Sequence, residues 1–494
     1  MELNHEHCYA IVKSRDERYD GRFFTGVLTT GIYCRPICPA PRPKTENVRF
    51  FTSAAAAEEA GLRPCLRCRP ESSPGTPDWV GTSATVNRAL RLINQGVMDE
   101  YDLSELASRL HVGERQLRRL FGQHVGASPI AVAQNRRVLF AKKLITETRL
   151  PMTEIAFSAG FSSIRRFNDV IQKLYGRAPT ALRKEGRQNG VQLCQQAHLQ
   201  LKLAYRPPYD WQAILQFLGA RAIPGVECVD GEQYRRTVKM GEVVGTILVE
   251  NEPQKHNLRL TISSNLSRNL IQIVDRVRNL FDLRADPMEI GKCLAQDKRL
   301  TAFVQRRPGL RVPGAWDGFE VAVRAILGQQ VSVKGATTLS GRLVAACGTV
   351  IETDDPHLTH LFPTPYQLSE ADLSGLGLTG QRIGAIRSLA QAVQDEELVL
   401  STAVSLDELI AQLIQLPGIG DWTAHYIAMR VFGEPDAFPA GDLVLRKVMG
   451  KETPVTTREL QRMSEAWRPW RAYAAMQLWA GSGDAVLEGN SVIA

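Results

Sequence analysis

Nowhere in the 494 residues does an apolar run approach the ~18–20 residues that a membrane-spanning helix requires, so no membrane partner is expected. The opening residues, MELNHEHCYAIVKSRDERYD, lack a basic flank followed by an apolar stretch, which argues against a secretory leader. The default compartment is then reducing, and there nine cysteines point to thiol or metal chemistry sooner than to disulfides. Net charge is modest at +8, but it is unevenly placed. Residues 81–187 hold 18 Lys and Arg against 9 Asp and Glu, whereas the segments before and after hold 11 against 10 and 31 against 33. The basic excess lies in one segment, as polyanion binding requires, although a solvated basic face has the same composition.

What is present divides the chain by punctuation. At this length one ordinary core does not suffice, and two to four domains are expected. RPESSPGTPDW (69–79) reads as a linker, and RKEGRQNGVQ (183–192) as a second. After it the pattern alternates, so that TVKMGEVVGTILVE and HNLRLTISSNL read as strands. From about Asp286 onward the pattern is helical, broken by PG and GIG turns.

Cys34 and Cys38 form one close pair, Cys65 and Cys68 another. Four thiolates in two such clips satisfy one tetrahedral Zn2+, whose preferred donors are sulfur and nitrogen. On spacing alone, a knuckle that only staples a small domain is the commoner use. Cys8, Cys194, Cys228, Cys293 and Cys347 are scattered and read as small buried apolar residues.

The flanking residues add to this. TTGIYCRPICPA (29–40), ENVRFF and AGLRPCLRCRP resemble the methyl-acceptor zinc domain of the Ada family over roughly residues 5–72. The resemblance implies that Cys34 is both zinc ligand and nucleophile, accepting a methyl group from a methylphosphotriester in DNA. It also implies backbone contacts from Arg63, Arg35 and Thr30. Four zinc-bound thiolates carry a net charge of about −2, which keeps the sulfur nucleophilic and repels ordinary phosphodiesters. The neutral triester approaches without that penalty. Methylation of Cys34 reduces the charge, so tighter DNA binding is expected afterwards. No PCHR motif is present, and transfer from alkylated guanine oxygen is not expected.

In the basic segment, Leu103, Leu106, Leu110, Leu117 and Leu120 recur at helical spacing about a turn at HVG. PMTEIAFSAGFSSIRRFNDVIQKLYGRAPT repeats the plan with AGFSS as its turn. The helices after the turns carry Arg115, Gln116, Arg118 and Arg119, then Ser162, Ser163, Arg165, Arg166 and Asn168. Arg, Gln and Asn pair bidentately with base edges, and Ser reaches phosphates. Residues 82–185 resemble the AraC-type DNA-binding domain, two helix-turn-helix units joined by a helix and closed by GRAPTALR. That resemblance implies double-stranded DNA as partner, with Arg115, Arg118, Arg165 and Arg166 as contacts, and RNA polymerase as the partner of a regulator.

QLPGIGDWTA (415–424) reads as helix, hairpin and helix, with glycines that let the turn approach a phosphate. AFPAGDLVLRK then places Asp442 at a helix start, where an Asp is ordinarily a cap. Together with LAYRPPYDWQAILQFLG, PGLRVPGAWDGFEVAVRAILGQQVS, FPTP and AWRPWRAYAAMQLW, these resemble the helix-hairpin-helix glycosylase superfamily, nearest its AlkA branch, over nearly all of residues 199–482. The resemblance implies Asp442 as catalytic carboxylate and Trp422, Tyr426, Trp479 and Phe217 as an aromatic pocket for a flipped, cationic base. It implies Gln330 as the wedge in the vacated stack, in place of the branch's apolar residue. Leu416, Gly418 and Gly420 fall at the DNA-binding hairpin, whose carbonyls near Leu416 and Gly418 are implied to hold a monovalent cation. Trp422 stands where lyase-type relatives carry lysine, so a hydrolytic enzyme without a Schiff base is expected. Gly441 replaces an acidic neighbour of the catalytic carboxylate.

The whole reads as a multidomain α+β protein: a zinc domain (1–75), an all-α double helix-turn-helix domain (80–187), a β-rich subdomain (198–285) and an all-α glycosylase bundle (286–494). A cytoplasmic, nucleoid-associated bacterial monomer is expected. Two readings stay open beside damage sensor, regulator and glycosylase in one chain. One is a regulator with a catalytically inactive glycosylase-like half. The other is a glycosylase with an inert zinc site.

Overall fold

The computed structural model describes residues 3–74, 84–188, 198–398, 405–450 and 453–487. Cys194, residues 75–79 of the first expected linker and 189–192 of the second lie outside the described residues. The chain folds as two compact units. One takes residues up to Pro207 with Met240–Arg278 and Leu283–Ala285; the other takes Pro208–Lys239, Asn279–Asp282 and Asp286 onward.

In the first unit a small sheet carries the cysteines. Phe24–Val27 lies between Val48–Phe51 and Ile32–Cys34 in antiparallel register, and Arg63–Pro64 adds a parallel edge beside Tyr33. Gly26 is needed in the central strand, because a Cβ there would lie 2.5 Å from Leu62 and 2.6 Å from Phe51. The helix Ala54–Glu59 covers the layer with four buried alanines, and Ser53 caps it by accepting from the Ala56 amide.

The basic segment is all helix. Leu103–Arg109 and Glu114–His124 meet about a turn that places His111 at a left-handed φ of 53°, and they bury Leu103, Leu106, Leu110, Leu117 and Phe121. Leu120 is only partly buried. Met152–Ser158 and Ile164–Tyr175 repeat the plan over Ile155, Phe167, Ile171 and Tyr175. Between them runs Pro129–Glu147, capped by Ser128. Its Asn135, Lys142, Lys143 and Thr146 are buried because the zinc segment packs against it through Ala54–Glu59 and Pro70–Ser72. Three strands complete the unit: Asn257–Ser263 pairs antiparallel with His198–Ala204 on one side and Val243–Glu252 on the other, turning alternate residues such as Leu258, Leu260 and Ile262 inward.

The second unit opens with the helix Trp211–Gly219 and the hairpin of Glu227–Asp230 with Gln233–Met240. Its hub is Gly318–Leu327, with eight of ten residues buried, as a helix packed on several sides requires. Gly380–Gln394 and Asp421–Arg430 pack on it. The helical run after Asp286 is interrupted by Thr349–Val350 paired with His360–Leu361, strands too short for alternation to signal. Fully buried Arg236 is balanced by Glu320 at 2.8 Å and Glu227 at 3.3 Å.

Candidate base pocket and metal centre

Asp442 stands immediately before the helix Leu443–Gly450, and its Oδ1 accepts from the Leu445 amide at 3.0 Å. It is therefore a cap, as an Asp at that position ordinarily is. The same carboxylate takes two further donors. The Trp422 indole donates to Oδ2 at 2.9 Å and the Trp479 indole to Oδ1 at 3.1 Å. Trp422 stacks on Tyr426 with centroids 5.3 Å apart and planes 11° from parallel, and Trp479 lies 6.4 Å from the same tyrosine. Phe217 joins from Trp211–Gly219, with Arg430 4.7 Å above its ring and 5.6 Å from that of Tyr426. The structure thus gathers Asp442, Trp422, Tyr426, Trp479 and Phe217 around one place.

The hairpin supports this place. Gly418 adopts φ 81°, and a Cβ on it would lie 2.5 Å from that of Ala385. Its carbonyl accepts from Gln329 at 2.7 Å, and Gln329 also reaches Thr423 at 3.0 Å. Leu416 accepts from the Ile419 amide, and Gly420 begins the helix Asp421–Arg430. Gln330 follows Gln329 at a left-handed φ of 55° with its side chain exposed.

Three arginines were not singled out from sequence. Arg221, Arg324 and Arg430 surround the Tyr426 phenol. Burial opposes its ionisation, yet these three cations outweigh burial and bring its pKa down to about 8.

The four cysteines converge: their Sγ atoms all lie within 4.8 Å of one another. Cys34 ends the strand Ile32–Cys34, and Cys65 follows Arg63–Pro64. Thiols this close compete for protons. Hydrogen bonds from Cys34 hold Cys38 down at about 7 and Cys65 lower still, while their neighbours push Cys34 and Cys68 up. A divalent cation relieves that conflict, and the Arg35 amide donates to Cys68 Sγ at 3.3 Å. The donor set fits zinc.

Other expected contacts divide. Arg63, Arg115, Arg118, Arg165 and Arg166 are exposed, with Arg118 also paired to Glu114 at 2.8 Å. Arg35 has partners within the chain: its half-buried guanidinium is bound to Asp20 and to the Cys68 carbonyl, so it braces the cysteine loop. Ser163 is a cap, accepting from the Arg166 amide at 3.2 Å. Of the scattered cysteines Cys8 is buried, but Cys228, Cys293 and Cys347 are only half-buried.

Residues 7–71 match the metal-binding domain of Ada, 106–185 a helix-turn-helix domain, 200–317 the AlkA N-terminal domain and 323–472 the HhH-GPD superfamily of base excision DNA repair proteins. A probable bifunctional transcriptional activator/DNA repair enzyme AlkA of Mycobacterium tuberculosis is 43% identical over 481 residues, 97% of each chain. The chain belongs to this bifunctional AlkA family. Within the family's second half, DNA-3-methyladenine glycosylase 2 of Escherichia coli is 35% identical, matching 57% of this chain and 97% of its own. The AdaA transcriptional activator/DNA repair enzyme of Bacillus subtilis is 30% identical over 37% of this chain and 83% of its own. A solved 3-methyladenine DNA-glycosylase from Archaeoglobus fulgidus shares the fold, with a TM-score of 0.51 at 20% identity over 57% of this chain and 98% of that one.

Proposed function

We propose that this AlkA-family chain hydrolytically releases alkylated purines of the 3-methyladenine type from double-stranded DNA. Cys34 accepts methyl groups from methylphosphotriesters, and the helix-turn-helix segment regulates transcription. The observation that carries the first activity is the Asp442 carboxylate, held by two indole N–H groups at the edge of the Trp422–Tyr426 stack. A DNA binder has no need of a carboxylate so placed.

In this reading a flipped base stacks on the aromatic wall, where electron-rich rings attract its positive charge. The C1′–N bond breaks with its electrons passing to the base, already a good leaving group. Asp442 stabilises the cation developing on the sugar and orients water, whose oxygen bonds to C1′ and whose proton is lost to the carboxylate or solvent. Gln330 fills the vacated stack. No lysine takes part, and no Schiff base forms.

Cys34, Cys38, Cys65 and Cys68 would hold one zinc ion, which when bound keeps the sulfurs as thiolates. The Cys34 sulfur attacks the methyl carbon; the C–O bond breaks and its electron pair stays on the departing phosphodiester oxygen. Arg63 lies against the backbone in this step. Arg115, Arg118, Arg165 and Arg166 carry operator binding, with RNA polymerase as the regulator's further partner.

The same reading divides the chain at 1–75, 80–187, 198–285 and 286–494 and makes it a nucleoid-associated, cytoplasmic monomer. It also includes a monovalent cation at the hairpin. The Leu416 carbonyl accepts from Ile419 and that of Gly418 from Gln329, and each keeps a second lone pair for the ion. The deciding experiment is base release from methylated duplex DNA by the wild type and Asp442→Asn. Release of methylated purines by the wild type alone supports the proposal; release by neither, with DNA binding intact, overturns the glycosylase reading.

A further inference from the structure

The turn between the hub helix Gly318–Leu327 and the helix Val333–Cys347 holds a strained residue at an exposed place. Gln330 takes φ 55° there, with its side chain exposed and the exposed apolar residues Val331 and Val333 close behind it. A left-handed conformation is unfavourable for any residue with a Cβ, and it persists only where the surroundings hold it.

The preceding residue supplies that hold. Gln329 Nε2 donates to the Gly418 carbonyl of the hairpin at 2.7 Å and to the Thr423 hydroxyl, on Asp421–Arg430, at 3.0 Å. The Gln329 amide donates to the Ile326 carbonyl at 3.3 Å. Its carbonyl accepts from Arg382 Nη2, on the helix Gly380–Gln394. That carbonyl belongs to the peptide group joining Gln329 to Gln330, so Arg382 fixes the plane about which the Gln330 φ is set. The same helix backs the hairpin, with Ala385 lying against Gly418. On the far side Ser332 accepts from the Gly335 amide at 3.1 Å and pins the turn to its second helix.

We infer that Gln329 is a positioning residue: with Arg382 it holds Gln330 in its left-handed conformation and ties it to the hairpin. The inference rests on the glycosylase reading, with Gln330 as the wedge, and deepens it. Gln329 acts through Gln330 and not on the base. A turn fixed before DNA arrives lets the wedge enter the stack with little ordering left to do. Because the anchor is a hairpin carbonyl, seating of the hairpin on the DNA backbone also sets where the wedge enters.

The test is a double-mutant cycle in the full chain. Gln329→Met keeps the side-chain length and removes both donors, whereas Gln330→Gly removes the wedge and the strain together. Two readouts are taken: single-turnover base release from methylated duplex, and emission of 2-aminopurine beside a tetrahydrofuran abasic analogue, which brightens when a wedge unstacks it. Gln329→Met is expected to lower both by about tenfold, the size of one or two neutral hydrogen bonds. In the Gln330→Gly background the same change should cost less than about twofold, because nothing is left to position. If Gln329→Met does not fold, Arg382→Met frees the same peptide group and must show the same dependence on Gln330. An equal loss in the two backgrounds is what a merely structural residue gives, and it overturns the inference, as does no loss in either. A wild type that brightens 2-aminopurine but releases no methylated base overturns the glycosylase reading, and the inference with it.

Discussion

The indole nitrogen of Trp422 donates to Oδ2 of Asp442 at 2.9 Å. Because Oδ1 is held independently by Trp479 and by the Leu445 amide, the carboxylate cannot rotate without breaking several hydrogen bonds. One side chain thus starts a helix and presents a fixed negative charge beside the aromatic stack. Preorganisation of that kind needs no rearrangement when charge develops on a sugar.

Asp442→Asn separates the two duties. Asparagine caps helices about as well as aspartate, so the melting temperature should hold within a few degrees. Base release should fall by at least about a thousandfold, since both electrostatic stabilisation and proton acceptance are lost. Trp479→Phe keeps an aromatic ring but removes one donor, and a loss of about tenfold is expected. Single-turnover release on methylated duplex, with a thermal melt of each variant, checks all three statements.

Tyr426 should titrate early. Its pKa of about 8, below the usual value near 10, means that the folded state favours the phenolate. For a depressed acid, the stabilisation is full above the unfolded pKa and is lost as pH falls through the folded one. Wild type should therefore gain stability over Tyr426→Phe between about pH 8 and 10, by roughly 2–3 kcal/mol at the upper end. Denaturant melts of both proteins across that window measure it. A flat difference would mean that the arginines do not hold a phenolate.

Lys142 and Glu71 pair at 3.7 Å with both side chains buried, and Glu71 also takes Arg69 at 3.2 Å. Burial pushes Lys142 down in pKa, and Glu71 opposes that shift. Glu71→Gln leaves a buried ammonium poorly matched and should cost about 3 kcal/mol. Adding Lys142→Met should recover most of the loss, because a paired charge and an apolar group are closer in free energy than either is to an orphaned ion. Equilibrium unfolding of the single and double variants reads the coupling directly.

Chelating zinc should abolish methyl transfer to Cys34 and bring forward an unfolding transition, since four free thiols at this spacing compete for protons. Base release, which we assign to Asp442, needs no thiolate in this reading and should continue. Labelled methyl transfer and base release, assayed on the same chelated sample, discriminate the two.

Much of this was legible in the chain because the signals are local. Cys34, Cys38, Cys65 and Cys68 sit in two short clips, PGIG marks a hairpin within a few residues, and the leucines about the HVG turn repeat at helical spacing. Arg221, Arg324 and Arg430 were illegible for the opposite reason. They are single residues among 60 Lys and Arg. Arg430 lies one turn from Tyr426 on Asp421–Arg430, but Arg221, just after Trp211–Gly219, and Arg324, on Gly318–Leu327, are far from it in sequence and act on it only through packing. The cap that Ser163 forms on its own helix, accepting from the Arg166 amide, is a role the sequence reading did not assign. The brace that Arg35 makes was illegible because nothing nearby in sequence announces Asp20, which holds it. Cys228, Cys293 and Cys347 show that a scattered thiol need not be fully enclosed.

The two indoles that hold Asp442 also give the protein an intrinsic optical reporter. Trp422 and Trp479 are two of only seven tryptophans, and both indoles donate to Asp442. A purine sliding against Trp422 would alter its emission before any bond breaks. Rapid-mixing fluorescence on unlabelled protein could then time the arrival of the base separately from its release, with Trp422→Phe as the silent control.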